Sequence, residues 1–283
     1  MHNVVNESGL TGSEAAVVVV HEREIEFHNL WASSTPIEEV LVTESFESPL
    51  APENRHALDL MGNLKDKKVL DVATGLGEAA VYFALQGADV TATDLSPEMV
   101  NHATQLALHH QTNITPLVCP AEKLDLPDNE FDVCYAANLL HHVTNRRQTL
   151  FEMRRVLKPD GLLVTWDPLA YNPIINIYRQ MANKVRTEDE QPLTFKVIQE
   201  FEELFIEVGH REFWLSALSI FLKYYLVDGV HPNEDRYWKR ILKEGPSTMK
   251  WLGPLIALDQ RLFRLRPFNY LAWTILMHGR KPS

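Results

Sequence analysis

Four positions have the residue types and spacing to hold a ligand together: Asp71, Gly75, Gly77 and, further on, Asp94. The run Val69-Leu70-Asp71-Val72-Ala73-Thr74-Gly75-Leu76-Gly77-Glu78 reads as a buried strand that enters a glycine turn and then opens a helix. Glycines lack a Cβ, so the backbone can bend tightly there and come close to a ligand. The helix that follows offers free N–H groups at its start. A nucleotide-like cofactor suits such a turn, and two chemistries compete for it. Gly75-Leu76-Gly77-Glu78-Ala79-Ala80 fits the G-x-G-x-x-G/A pattern of dinucleotide binding, with Asp94 as the ribose acid. Asp71 argues for the other. A carboxylate at the strand end would repel a pyrophosphate but would attract the amino group and sulfonium of S-adenosylmethionine (SAM). Asp94 would then accept from the two ribose hydroxyls.

Further motifs extend this pattern in order. Thr91-Ala92-Thr93-Asp94-Leu95-Ser96-Pro97 follows a second strand, and Cys119-Pro120-Ala121-Glu122 follows a third. Phe131 to Val143 carries a fourth strand, residues 131–136, followed by Asn138-Leu139-Leu140-His141-His142, and Arg155 to Leu163 leads into a fifth. Together, residues 68–167 resemble the class I SAM-dependent methyltransferases, in the small-molecule branch that includes the ubiquinone/menaquinone methyltransferases. The resemblance implies a Rossmann-like, doubly wound, seven-stranded α/β sheet, mostly parallel with an antiparallel last strand. It implies SAM as cofactor, held by Asp71, Ala73, Gly75, Gly77, Asp94, Leu95, Ala121, Glu122 and Asn138. Two positions depart from the family pattern. Ala73 replaces the first motif glycine; a methyl fits there where φ is negative, so cofactor binding is expected to survive. Pro120 stands where the family usually has an acid near the adenine, which leaves that contact to the backbone at Ala121 or to Glu122.

Methyl transfer needs alignment, exclusion of water and, where the acceptor must lose a proton, a base. His141, His142, Asp167 and Tyr171 lie near the strand ends, and His141 and Tyr171 are the expected catalytic pair. Adjacent side chains alternate, so only one of His141 and His142 is expected in the pocket. Phe27, Trp31, His142, Tyr171, Arg179, Trp214 and Tyr225 are the expected acceptor contacts. Arg179 or Arg186 could clamp an acidic group or pair with Glu188, Asp189 and Glu190. No metal is expected: the histidines are scattered, and the adjacent pairs His109-His110 and His141-His142 are not expected to converge on one ion.

The elements that must position these groups follow from the apolar pattern. Residues 1–20 read as loosely ordered and Glu22 to Ala32 as a helix that could fold over the cofactor. Pro52 to Met61 reads as a helix ended by Gly62. Five strand–helix units then give a parallel sheet. Thr194 to Val208 reads as a helix, Arg211 to Leu218 as a strand, and Tyr270 to His278 as a closing strand. Between the last two lie helices, one capped by Asn233. The expected organisation is residues 1–62 as tail and covering helices, 63–217 as the methyltransferase core, 218–267 as a helical lid and 268–283 as the closing strand.

Composition bounds the partners. The net charge of −11 argues against nucleic acid. The last 74 residues nevertheless hold 12 Lys+Arg against 6 Asp+Glu, and 12 of the 26 aromatics. That segment could form a lid, line a greasy acceptor pocket, or touch a membrane through Lys223, Arg236, Lys239, Arg240 and Lys243. The two cysteines, Cys119 and Cys134, read as buried thiols. The absence of an export signal or spanning segment points to a cytoplasmic protein. The expected acceptor is a small, partly apolar molecule, with the reacting atom and the oligomeric state left open. The alternatives are an NAD(P)-dependent oxidoreductase and a non-catalytic SAM-binding protein.

Overall fold

The computed structural model describes residues 12–184, 186–187 and 190–283, with side chains from residue 18 onward apart from Pro246. In chain order the elements are α1 (Gly12–Ser34), α2 (Glu44–Glu47), α3 (Pro52–Met61), β1 (Lys68–Val72), α4 (Glu78–Leu85), β2 (Asp89–Asp94), α5 (Pro97–His109), β3 (Thr115–Val118) and β4 (Phe131–Ala137). Then follow α6 (Arg146–Val156), β5 (Leu157–Pro168), α7 (Pro173–Met181), α8 (Lys196–Glu202), β6 (Ile206–Phe213), α9 (Ser219–Leu226), α10 (Tyr237–Leu262), α11 (Arg266–Asn269) and β7 (Thr274–Arg280).

The strands form one seven-stranded sheet in the order β3-β2-β1-β4-β5-β7-β6. Strands β1 to β5 run parallel to one another, and β7 runs antiparallel between β5 and β6. Strand periodicity explains the two cores. Val69, Val133, Tyr135 and Val164 point to one face, where α3, α4 and the β6–β7 helices pack. Leu70, Val72, Cys134, Ala136 and Leu163 point to the other, against α6 and α8. Both cysteines are buried, as their sequence setting suggests, and burial pushes both thiols up.

Local chemistry sets several boundaries. Ser96 caps α5 by accepting from the Met99 N–H at 3.1 Å, with Pro97 in the first turn. Asn172 caps α7 by accepting from Ile174 and Ile175. Four expectations are corrected. The first helix begins at Gly12, so residues 12–20 are helical. The helix expected over 194–208 ends at Glu202, and its tail becomes β6, so the strand expected at 211–218 lies at 206–213. β6 must pair with β7 in a register that sets Phe213 against Thr274, and that pairing outweighs the local pattern. The closing strand starts at Thr274, not Tyr270. Asn233 does not cap a helix. Its amide bridges to Lys184 and Asn183, and α10 starts later, at Tyr237.

Helices α9 to α11 fill the β6–β7 connection. α10 breaks at Gly245, whose φ of 46° and ψ of −119° are non-helical. No helix among the described residues is long and apolar enough to cross a membrane.

Candidate active site

The carboxyl ends of β1, β2, β4 and β5 open into a cavity of about 410 Å³. This is where an open α/β sheet binds ligands, because the strand ends and helix starts leave backbone groups unpaired there. Helix α1 covers one side: Asn29 accepts from the Ser96 hydroxyl at 2.6 Å, and His102 bonds to the carbonyls of Leu76 and Thr35. These bonds place Phe27, His28 and Trp31 in the cavity wall.

The cofactor end is built from the first two strand termini. Asp71 is 2% exposed and accepts from the Thr74 hydroxyl at 2.6 Å. Burial pushes its carboxyl up to about 7, helped by the nearby charges of Asp94 and Glu78. Among the described residues no cationic side chain is one of the main groups acting on it. A buried acid without a cation fits a ligand that brings one. Asp94 accepts from the Gly75 N–H and the Ser96 N–H, each at 2.9 Å, so it ties the glycine turn to the start of α5. Leu95, Ala121, Glu122 and Asn138 also line the cavity, as expected. Glu122 is shared: it also accepts from Thr144 at 3.3 Å and faces His21 of α1 at 3.6 Å, which holds its carboxyl below the usual range.

Two turn positions behave differently from expectation. Gly77 is absent from the cavity wall. A Cβ there would lie 2.6 Å from that of Ala103, so this glycine lets α4 and α5 approach closely. Ala73 does line the cavity, but its φ is +57°, not negative. The chain must leave β1 through a left-handed residue to reach the turn, and an L-alanine is strained in that region. Ala73→Gly should relieve roughly 1–2 kcal/mol of strain, offset by about 0.4–1 kcal/mol of added unfolded-state entropy. Urea unfolding should therefore show a small net gain in stability. A clear loss would mean that the alanine methyl packs usefully.

The other end of the cavity holds a histidine–aspartate pair. The His141 Nδ1 lies 2.8 Å from Asp167 Oδ1, and the His141 backbone N–H donates to the same oxygen. Thr165 donates to Asp167 at 3.3 Å. Both members are buried. Burial pushes Asp167 up to about 7 and His141 well below its usual value. With Nδ1 donating to the carboxylate, Nε2 is left as an acceptor. His142 also lines the cavity, its ring 4.1 Å from that of His141. Strand alternation does not apply here, because both residues lie in a turn beyond β4. The His142 Nδ1 faces Glu24 of α1 at 3.3 Å; despite burial, that carboxylate raises its proton affinity.

This convergence corrects the expectation that adjacent histidines cannot meet at one ion. His141, His142 and Glu190 present ligand atoms within 4.8 Å of one another. Glu190, however, is ion-paired with Arg186, and Arg179 also lines the site. A cation would enter against these charges. Glu188 and Asp189 lie outside the described residues.

The remaining acceptor contacts divide. Arg179 and Trp214 line the cavity. Tyr171 does not: it is 38% exposed, stacked on Phe195 and edge-on to Tyr270. Pro168, Leu169 and Asn172 turn the chain so that Tyr171 faces outward beside α8. Tyr225 is also outside, 43% exposed on α9, because the inward stripe of that helix is Ile220, Phe221 and Tyr224. Sequence reasoning missed Glu24, Glu53, Asn54, Trp166, Tyr178 and Trp273, all in the wall, which Trp238 also joins. Trp166 and Tyr135 both donate to Asn54, which gave no signal because its role depends on α3 crossing the sheet. Arg236, read only as a surface charge, also lines the cavity. Lys223, Arg240 and Lys243 pair with acids of this chain, and Lys239 lies over Trp31 and Trp238.

Residues 70–165 match the methyltransferase domain family model. That match takes in Asp71, Gly75 and Asp94 and spans about a third of the chain. The ubiquinone/menaquinone biosynthesis C-methyltransferase UbiE of Paraburkholderia phytofirmans is 40% identical over 111 residues, 36% of this chain and 46% of the relative. The chain thus matches about half the length of such curated relatives. A putative methyltransferase of Haloferax volcanii, solved with its Trm112 activator, superposes with a TM-score of 0.57 at 18% identity, covering 90% of this chain and 98% of that one. The phosphoethanolamine N-methyltransferase 2 of Haemonchus contortus, solved with phosphomonomethylethanolamine and S-adenosylhomocysteine, gives 0.55 at 16% identity over 82% and 53% of the two chains. The methyltransferase domain accounts for Asp71 and the glycine turn, and the dinucleotide alternative is not favoured.

Proposed function

We propose that this protein is a SAM-dependent methyltransferase acting on a small, partly apolar acceptor. The observation that carries the reading is the continuity of one cavity from the Asp71–Gly75–Asp94 turn to the buried His141–Asp167 pair. Asp71 would hold the cationic end of SAM, Asp94 and Leu95 the ribose, and Ala121, Glu122 and Asn138 the far wall. SAM supplies a methyl group already activated on a sulfonium. The chain's task is to align the acceptor, exclude water and, where needed, take a proton. His141 Nε2 is placed for that proton, with Asp167 fixing the tautomer. The helices of residues 218–267 act as the lid, contributing Arg236, Trp238, Ile241 and Leu242 to the wall. The aromatic wall suits an apolar acceptor body.

The test is thermal stabilisation of the full chain by SAM, S-adenosylhomocysteine and NAD, followed by a radiolabelled-methyl screen of acceptor extracts. Stabilisation by the adenosyl ligands and not by NAD, with label transfer to a small molecule, is the expected result. Stabilisation by NAD alone would sink the reading.

The raised Asp71 acid adds a pH prediction. Below about pH 7 the carboxyl is protonated and neutral; above it the charge that attracts SAM is present. Linkage then requires affinity to rise with pH, by roughly 5–10-fold between about pH 6 and about pH 7.5. Asp71→Asn should flatten that rise and weaken binding at the upper end. A steep rise surviving in the variant, measured by calorimetry, would assign the titration to another group.

A further inference from the structure

We infer that the acceptor carries an anionic group, a carboxylate or a phosphate, held between Arg179 of α7 and Arg236 at the start of α10. The inference rests on the methyltransferase reading and names the substrate class of its acceptor end.

Three guanidinium groups, those of Arg179, Arg186 and Arg236, line the same cavity. The carboxylate of Glu190 is committed to Arg186. Arg179 donates only to neutral acceptors, the Leu169 carbonyl at 3.3 Å and the Asn176 side chain at 3.2 Å. The Nη1 of Arg236 is buried with no hydrogen-bond partner, and its guanidinium lies 3.6 Å from the centre of the Trp31 ring. Among the described residues neither Arg179 nor Arg236 forms an ion pair.

Burying two such charges without an acid is costly, and the cost is met when a ligand brings the missing negative charge. Burial pushes both guanidinium groups down to about 10, and the charge of Glu190, which is bonded to Arg186, offsets this only in part. A guanidinium offers a planar fork suited to carboxylate or phosphate oxygens. The opposite reading, a metal at His141, His142 and Glu190, would add positive charge to a site already in excess. Arg179 belongs to the core and Arg236 to the lid segment, so one anion would bridge the two. The apolar body would then lie among Trp31, Trp214 and Trp238.

The probes are naphthoate, naphthyl phosphate and the neutral naphthalenemethanol, titrated by tryptophan fluorescence into the full chain saturated with S-adenosylhomocysteine. The anions should bind at least about ten-fold more tightly than the alcohol. The stronger of the two distinguishes carboxylate from phosphate. Arg179→Gln and Arg236→Gln should each remove most of that preference while S-adenosylhomocysteine affinity holds. Equal binding of the alcohol and both anions to the wild-type chain overturns the inference, and this comparison needs no variant to fold. A preference untouched in both folded variants overturns it as well. Failure of S-adenosylhomocysteine itself to bind overturns the underlying methyltransferase reading, and the inference with it.

Discussion

Replacing His141 by alanine should lower kcat for methyl transfer by about 10²–10⁴-fold, the usual range for loss of a general base. The affinity for S-adenosylhomocysteine should hold, because His141 lies at the other end of the cavity from the Asp71–Gly75–Asp94 turn. Asp167→Asn should give a similar loss by a different route. It keeps the shape but removes the carboxylate charge, and an amide NH2 turned toward Nδ1 would hold the imidazole in the wrong tautomer. The pH profile separates base chemistry from mere packing. Asp167 is pushed up to about 7. Below that value the pair carries an extra proton and Nε2 is not free to accept one; above it Nε2 is available. At saturating SAM, where the titration of Asp71 no longer limits binding, kcat should therefore rise with pH through about 7 in the wild-type chain, and that rise should vanish in the His141 variant. An H141A enzyme with near-normal turnover, at unchanged melting temperature, would show that the acceptor needs no base and that the pair is structural.

Asp94→Ala is expected to weaken S-adenosylhomocysteine binding by roughly 1.5–3 kcal/mol, the range for charge-assisted hydrogen bonds. The structure adds a second cause to the ribose contact. Asp94 accepts from the N–H groups of Gly75 and Ser96, so its loss also frees the turn that must cradle the ligand. Asp94→Asn separates the two, since the amide oxygen can keep one backbone bond while the charge is gone. Calorimetric titration of both variants beside the wild type measures this. Affinity unchanged in Asp94→Ala would remove Asp94 from the cofactor site.

Much of the site was legible in the sequence because its signals are local. A strand end followed at once by glycines, an acid closing the next strand, a Ser96-Pro97 cap and a histidine pair after β4 are each set by a few consecutive residues. Their convergence follows from sheet topology: parallel strands joined by helices bring all their carboxyl ends to one edge. The sequence therefore determined the α/β class, the cofactor edge and the boundaries from α3 to α6 closely.

What the tertiary structure decided lies where contacts are distant in the chain. The φ of Ala73 depends on how β1 is held between β2 and β4, and no propensity predicts a left-handed alanine. His141 and His142 converge because the turn after β4 is pinned by Asp167 of β5 and by Glu24 of α1, far away in sequence. Tyr171 and Tyr225 resemble pocket residues by type. Packing against Phe195 and the inward stripe of α9 turn them out. Arg236 looked like one charge in a basic surface segment; the start of α10 sets it over the Trp31 ring in the cavity wall. Residue types and short spacings specify what chemistry a chain can offer. Which side chains face one another across the cavity is a long-range outcome of packing, because desolvation and steric fit are summed over elements that the sequence keeps apart.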